Sequence, residues 1–169
     1  MRRACLIAFL LLPAAALAAP TPPPKLTTAD RAAAFRAAGF KRVGAQWQGC
    51  GDPGTAGYTP GAIEQVADLN GDGRPEAVIT EGSAYCFGHT EVGYALVSKQ
   101  ADGSWKQIDA GQGILTVLAT PKPVLTRTGG WPDLEIGGPG FCFPVVRWNG
   151  RGYAVQRHQY QGKACKPAR

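Results

Sequence analysis

Between Asp68 and Glu76 the chain reads Asp-Leu-Asn-Gly-Asp-Gly-Arg-Pro-Glu. Side chains with oxygen stand at the first, third, fifth and ninth positions, and a glycine stands at the sixth. Alternate residues of a tight loop point inward, and calcium takes roughly six to eight hard oxygen ligands, so this spacing predicts a Ca2+ site. Asp68, Asn70 and Asp72 would give side-chain oxygens. Arg74 would give its backbone carbonyl, its side chain pointing away, and Glu76 would close the site directly or through water. Gly73 would take the sharp turn. The same residues also suit an Asx-rich turn that holds no metal. The glycine and the closing glutamate favour the ion, in a stabilising role.

The twelfth position is Ile79, where a helix–loop–helix site would carry a bidentate glutamate, and an apolar strand-like run follows. The loop and that run resemble the calcium loops of FG-GAP and VCBS-type repeats. The resemblance implies a loop set between β-strands, as in integrin-like propellers. A fainter second copy lies downstream. Gly73-Arg74-Pro75-Glu76-Ala77-Val78-Ile79 and Gly130-Trp131-Pro132-Asp133-Leu134-Glu135-Ile136 share Gly-x-Pro-acid-x-x-Ile, and Tyr85-Cys86-Phe87 matches Phe141-Cys142-Phe143. In the second copy 127–131 supplies no carboxylate, leaving Asp133, so one calcium is expected. A closed propeller needs at least about four blades. The expected fold is therefore mainly β. It is a single domain of two related antiparallel β units, sandwich- or partial-propeller-like, with one short N-terminal helix.

Other chemistry finds little support. His89 and His158 have no partner at metal-ligand spacing. Gly82-Ser83-Ala84-Tyr85 lacks the second glycine of a nucleophile elbow. Gly137-Gly138-Pro139-Gly140 is not followed by the Lys-Ser/Thr of a phosphate loop. One enzymatic reading survives, an envelope-polymer hydrolase whose paired carboxylates come from Glu81, Glu91, Asp133 or Glu135. Inhibition of a secreted enzyme is a further alternative, although a basic chain suits a basic target poorly. The favoured reading is an exported, non-enzymatic binding or structural module.

Export is read from the N-terminus. Met1-Arg2-Arg3 is basic, Leu6 to Leu12 is apolar, and Ala16-Leu17-Ala18 suits a cleavage site, so 1–18 is expected to be a signal peptide. The product would be periplasmic or secreted, with no transmembrane segment after cleavage. Residues 19–25 hold four prolines and predict an extended linker, leaving 26–169 as the calcium-loop domain. Losing Arg2 and Arg3 takes eighteen basic residues to sixteen against twelve acidic, a net charge of +4. From Lys122 onward eight basic residues face only Asp133 and Glu135. That excess is a solvated surface or a contact for an anionic envelope polymer; an unknown protein is the other candidate partner, and nucleic acid is not expected.

Cys50, Cys86, Cys142 and Cys165 remain after cleavage, an even number without a Cys-x-x-Cys pair. They predict two disulfides in an oxidising compartment. Three connectivities are open; Cys50–Cys86 with Cys142–Cys165 closes the shorter loops.

The elements follow from local signals. Thr27 as N-cap, Asp30 three residues on, an alanine-rich run to Ala38 and Gly39 beyond predict one helix, docked by Phe35 and Phe40. Strands are expected over Ala77–Thr80, Gly93–Lys99, Trp105–Asp109, Ile114–Ala119, Leu134–Gly137, Phe141–Trp148 and Tyr153–Tyr160. Asp102-Gly103 and Asn149-Gly150 are the sharpest hairpin signals, each read as a two-residue type I′ turn. The second would set Trp148 opposite Arg151 and Val146 opposite Tyr153, in a hairpin apolar on both faces and covered on both. Trp47, Trp105, Trp131 and Trp148 with Tyr58, Tyr85 and Tyr153 suit core packing or a stacking surface.

Overall fold

The computed structural model describes residues 25–118 and 130–167. The expected leader 1–18, the linker apart from Lys25, and the start of the second loop copy lie outside them.

Thr27 accepts a hydrogen bond from Asp30 N at 3.0 Å, and helix α1 (Thr28–Ala37) begins there as expected. It ends at Ala38, and Gly39 follows at φ +83°. A short hairpin comes next, β1 (Lys41–Val43) and β2 (Gln46–Gln48). The first large sheet is an antiparallel meander of β3 (Thr59–Ala67), β4 (Glu76–Gly82), β5 (Val92–Lys99) and β6 (Trp105–Gln112). Between β4 and β5 lie a one-turn helix α2 (Ala84–Phe87) and a 3-10 turn, so the chain has a second, minimal helix beyond the one expected. The second sheet runs β7 (Ile114–Val117), β8 (Leu134–Gly137), β9 (Phe143–Trp148), β10 (Tyr153–Tyr160) and β11 (Lys163–Ala164), again all antiparallel. Every strand expected from the sequence is present. β7 is described to Val117, and Ala119 lies outside the described residues.

The faint repeat maps onto this topology. Both Gly-x-Pro-acid segments lead into the second strand of their sheet, β4 and β8. Cys86 and Cys142 both lie in the connection from second to third strand, and Trp105 and Tyr153 both open the fourth. The two related β units are the two sheets.

The layers follow from strand alternation. Ala77, Ile79 and Val97 face α1 and the β1–β2 hairpin, in a core with Ala34, Phe35 and Phe40. Trp47 stacks on Phe35 with ring centroids 4.8 Å apart. Val78 and Leu96 point the other way and meet Trp131 and Leu134 of the second unit, with Leu69 from the loop before β4. The central strands of the first sheet are thus covered on both faces, which is why they read as unbroken apolar runs.

Two hairpins differ from expectation. Trp148 pairs with Tyr153, not Arg151, and Val146 pairs with Val155. The loop holds four residues, Asn149 to Gly152. Asn149 Oδ1 accepts from Arg151 N and Gly152 N at 2.9 and 3.1 Å. Only Gly150 of the pair has positive φ. The asparagine side chain takes over the turn's donors, so the strands close one step further out. Asp102 does the same for Ser104 N at 2.9 Å. The type I′ pattern, positive φ at both central residues, occurs instead at Gln161-Gly162 between β10 and β11.

Among the described residues the two faces of the β9–β10 hairpin differ, although Val145 on the second is fully buried. Val146, Trp148 and Tyr153 pack toward the first sheet. The opposite face is laced with charge. Asp133 accepts from Arg147 Nε and a terminal guanidinium nitrogen at 2.8 and 2.9 Å and from Arg157 at 2.8 Å. Gln159 donates to Glu135 at 2.7 Å. The bonds from Arg147, then those from Arg157, hold the Asp133 carboxyl below its ordinary value. Their stabilisation is fully present above the ordinary carboxyl pKa of about 4 and is lost as pH falls through the depressed folded value. With both arginines part-exposed, Asp133→Asn is expected to cost about 1 kcal/mol at neutral pH and almost nothing in acid. Urea unfolding of both chains across that window reads the difference.

Candidate metal loop and a buried carboxylate

The Asp68–Glu76 loop joins β3 to β4, and its side chains bond largely to its own backbone. Asp68 Oδ1 accepts from Gly71 N and Asp72 N at 2.7 and 3.1 Å, and Oδ2 accepts from Gly73 N at 2.9 Å. Gly73 lies at φ +80°, the conformation its place requires. Asn70 Oδ1 accepts from Asp72 N at 2.9 Å, while its amide nitrogen points to Asp72 Oδ2 at 3.2 Å and Glu76 Oε1 at 3.5 Å.

Glu76 is fully buried. Leu69 N donates to it at 2.7 Å and Ser98 Oγ at 2.8 Å. No cationic side chain reaches it among the described residues. Burial raises its pKa, and those hydrogen bonds only partly offset the desolvation. Arg74 departs from expectation. Its side chain folds back, with a terminal nitrogen 2.6 Å from Asp72 Oδ2 and Nε donating to Lys99 O at 3.2 Å. The guanidinium supplies the positive charge that Asp72 faces.

Among the described residues, no three His, Cys, Asp or Glu side chains converge to hold a metal by themselves. The donor chemistry suits a hard cation nonetheless. Asp68, Asn70, Asp72, Glu76 and the Arg74 carbonyl form an all-oxygen set, and each carboxylate keeps lone pairs beyond its present bonds. Two local changes would be required: rotation of the Asn70 amide and release of Asp72 by Arg74.

The second copy abuts this loop. A Cβ on Gly130, at φ +84°, would lie 2.2 Å from the Asn70 carbonyl oxygen. The contact is backbone on backbone, so only glycine fits. Trp131 packs on Leu69 beside it. The degenerate copy thus braces the first.

No known family, curated protein or solved structure matches the chain.

The four half-cystines pair as Cys50–Cys86 and Cys142–Cys165. Around the first bridge lies a carboxylate that sequence reasoning had placed only in a hydrolase. Glu81 is 3% exposed. Its Oε1 accepts from Gly49 N at 3.0 Å and Tyr58 Oη at 2.7 Å, and Oε2 accepts from Cys50 N at 2.9 Å. Desolvation and then the bond to Glu81 push the Tyr58 hydroxyl well above its ordinary pKa. Asp52 caps the same loop, accepting from Ser83 Oγ at 2.6 Å and from Gly54 and Thr55. Desolvation opposes its ionisation, but these hydrogen bonds prevail and bring its pKa to about 2. Glu81 therefore ties the 49–58 loop to β4. A signal existed for it: Glu81 continues the inward series Ala77, Ile79 along β4.

The hydrolase reading needs carboxylates to meet. Glu81 lies on the α1 side of the first sheet, and Asp133 and Glu135 lie on the outward face of the second. Glu91 is exposed, at the start of β5. Among the described residues these four do not share a cleft.

Proposed function

We propose that the chain is an exported, non-enzymatic binding or structural module, stabilised by its two disulfides and by one calcium ion in the Asp68–Glu76 loop. The observation that carries the calcium reading is Glu76, a fully buried carboxylate with no cationic partner among the described residues, at the end of a loop rich in oxygen donors. A buried charge is costly unless it is paired or bound to a metal. Calcium would supply the missing charge. Asp68, Asn70 and Asp72 would hold it from the loop, with the Arg74 carbonyl, and Glu76 would anchor it to β4. The FG-GAP and VCBS-like spacing agrees with this arrangement. Two disulfides suit an oxidising compartment, periplasmic or extracellular, where a modest calcium affinity can still fill a site. Among the described residues no helix is long and apolar enough to cross a membrane.

The test is thermal unfolding of the oxidised chain in EDTA and in calcium, beside Asp68→Ala, Asp72→Ala. Ligand at about 100 times its dissociation constant stabilises by about 2.7 kcal/mol, several degrees for a domain of this size. The parent is expected to gain that much and the double variant nothing. An unchanged parent midpoint would leave the loop a turn and remove the calcium from this proposal.

A further inference from the structure

α1 covers only part of the first sheet. Its N-terminal end is fixed over the Lys99–Trp105 end, where Asp30 pairs with Lys99 at 2.8 Å and accepts from Trp105 Nε1 at 3.2 Å. Beyond its C-terminal end the sheet lies open as a cleft of about 370 Å3. Gly93 and Ala95 of β5 and Ala110 of β6 line it, residues too small to fill it. Phe40 and Phe87 line it too, each ring lying against glycine: a Cβ on Gly61 would meet Phe40 at 2.5 Å, and one on Gly93 would meet Phe87 at 2.4 Å. The volume falls in the range of small-ligand sites, which are mostly apolar with a few fixed polar groups.

The charged group lining this cleft is Glu81. Its partners are two backbone amides and a phenol, all neutral, and no salt bridge reaches it among the described residues. Three donors leave a lone pair of Oε2 free. The nearby Asp52 is likewise held by neutral donors only, through Ser83 Oγ, Gly54 N and Thr55. A buried negative charge without a counter-charge, beside aromatic rings in an apolar cleft, selects for a cation carried on an apolar body.

We propose that this cleft binds an organic cation, an ammonium or amidinium group on an aromatic or aliphatic frame, with Glu81 as its counter-ion and Phe40 and Phe87 as its walls. The site lies apart from the Asp68–Glu76 loop, and nothing in it depends on calcium.

Benzamidine is the probe, with benzamide as its uncharged isostere and benzoate as its anionic one. Amide chemical shifts of the oxidised full chain are followed during titration. Benzamidine is expected to move Gly49, Cys50, Gly93 and Gly111 saturably, with a Kd at least about tenfold below that of benzamide, and benzoate is expected not to bind. Glu81→Gln should erase the difference between benzamidine and benzamide. Because that change also weakens the tie to the 49–58 loop, Ala110→Leu serves as the second variant. It fills the cleft, leaves Glu81 in place and should abolish binding with the melting midpoint kept. Equal weak effects of benzamidine and benzamide, shifts scattered over other surfaces, or unaltered binding in Ala110→Leu would each overturn the proposal. A calcium response with no benzamidine site would refute this inference and leave the metal loop standing.

Discussion

Replacing Cys50 and Cys86 by alanine is expected to cost about 4 kcal/mol of unfolding stability. The bridge spans a sequence separation of 36, and closing a loop of that length removes conformational entropy from the unfolded chain. The folded side of the balance should change little. Gly49 N and Cys50 N remain bound to Glu81, Asp52 remains bound to Ser83 Oγ, and Ser83 still caps α2 by accepting from Cys86 N at 3.0 Å. The loss therefore belongs mainly to the unfolded state and should lower the unfolding midpoint without moving the native spectrum. The Cys142–Cys165 bridge, with a separation of 23, should be worth slightly less, about 3 kcal/mol. Guanidinium unfolding of the two double variants, monitored by tryptophan fluorescence, gives both numbers. Equal stability of parent and variant would mean that the reduced chain holds these loops closed before it folds.

Glu76→Gln is expected to reverse sign with calcium. In EDTA the parent must keep a buried carboxylate beside Asp72, without a cation to balance it. Glutamine keeps nearly the same shape and can still accept from Leu69 N, so removing the charge should raise stability by about 1–3 kcal/mol. In saturating calcium the parent gains the ion's binding energy and the variant does not, so the variant should become the less stable of the two. The crossing of two melting curves between EDTA and calcium is the measurement. A variant less stable in both conditions would show that Leu69 N and Ser98 Oγ, not a metal, are what the carboxylate serves.

The Asp68–Glu76 turn was legible because its information is local. Asp68 and Gly73 lie within nine residues, and the turn they form closes on itself, Asp68 accepting from Gly71 N and Gly73 N. β4 and β5 were legible for a related reason: covered on both faces, their centres are the apolar runs Ala77–Ile79 and Tyr94–Val97. β3 was missed. It is the edge strand of its sheet, holds Pro60 and Gly61, and breaks register twice against β4. An edge tolerates proline and bulges, and both erase the alternation by which a strand is recognised. The β9–β10 register was missed because Asn149 completes the turn with its side chain, an option that backbone preferences alone do not express. The setting of Glu81 was not legible. Two of its partners are backbone amides 31 and 32 residues away, and a peptide N–H looks alike at every position.

The two sheets share one sequence pattern, yet they are not interchangeable parts. Ala77 and Ile79 of β4 belong to the core beneath α1, while Val78 between them belongs to the core shared with the second sheet. Val97 and Leu96 divide in the same way on β5. One pair of strands is thus the common wall of both cores. Cutting the chain between the units would strip Val78 and Leu96 of cover on one side and Leu134 on the other. Repetition of sequence here has not produced modularity: neither half owns a complete interior, and the two units stand or unfold together.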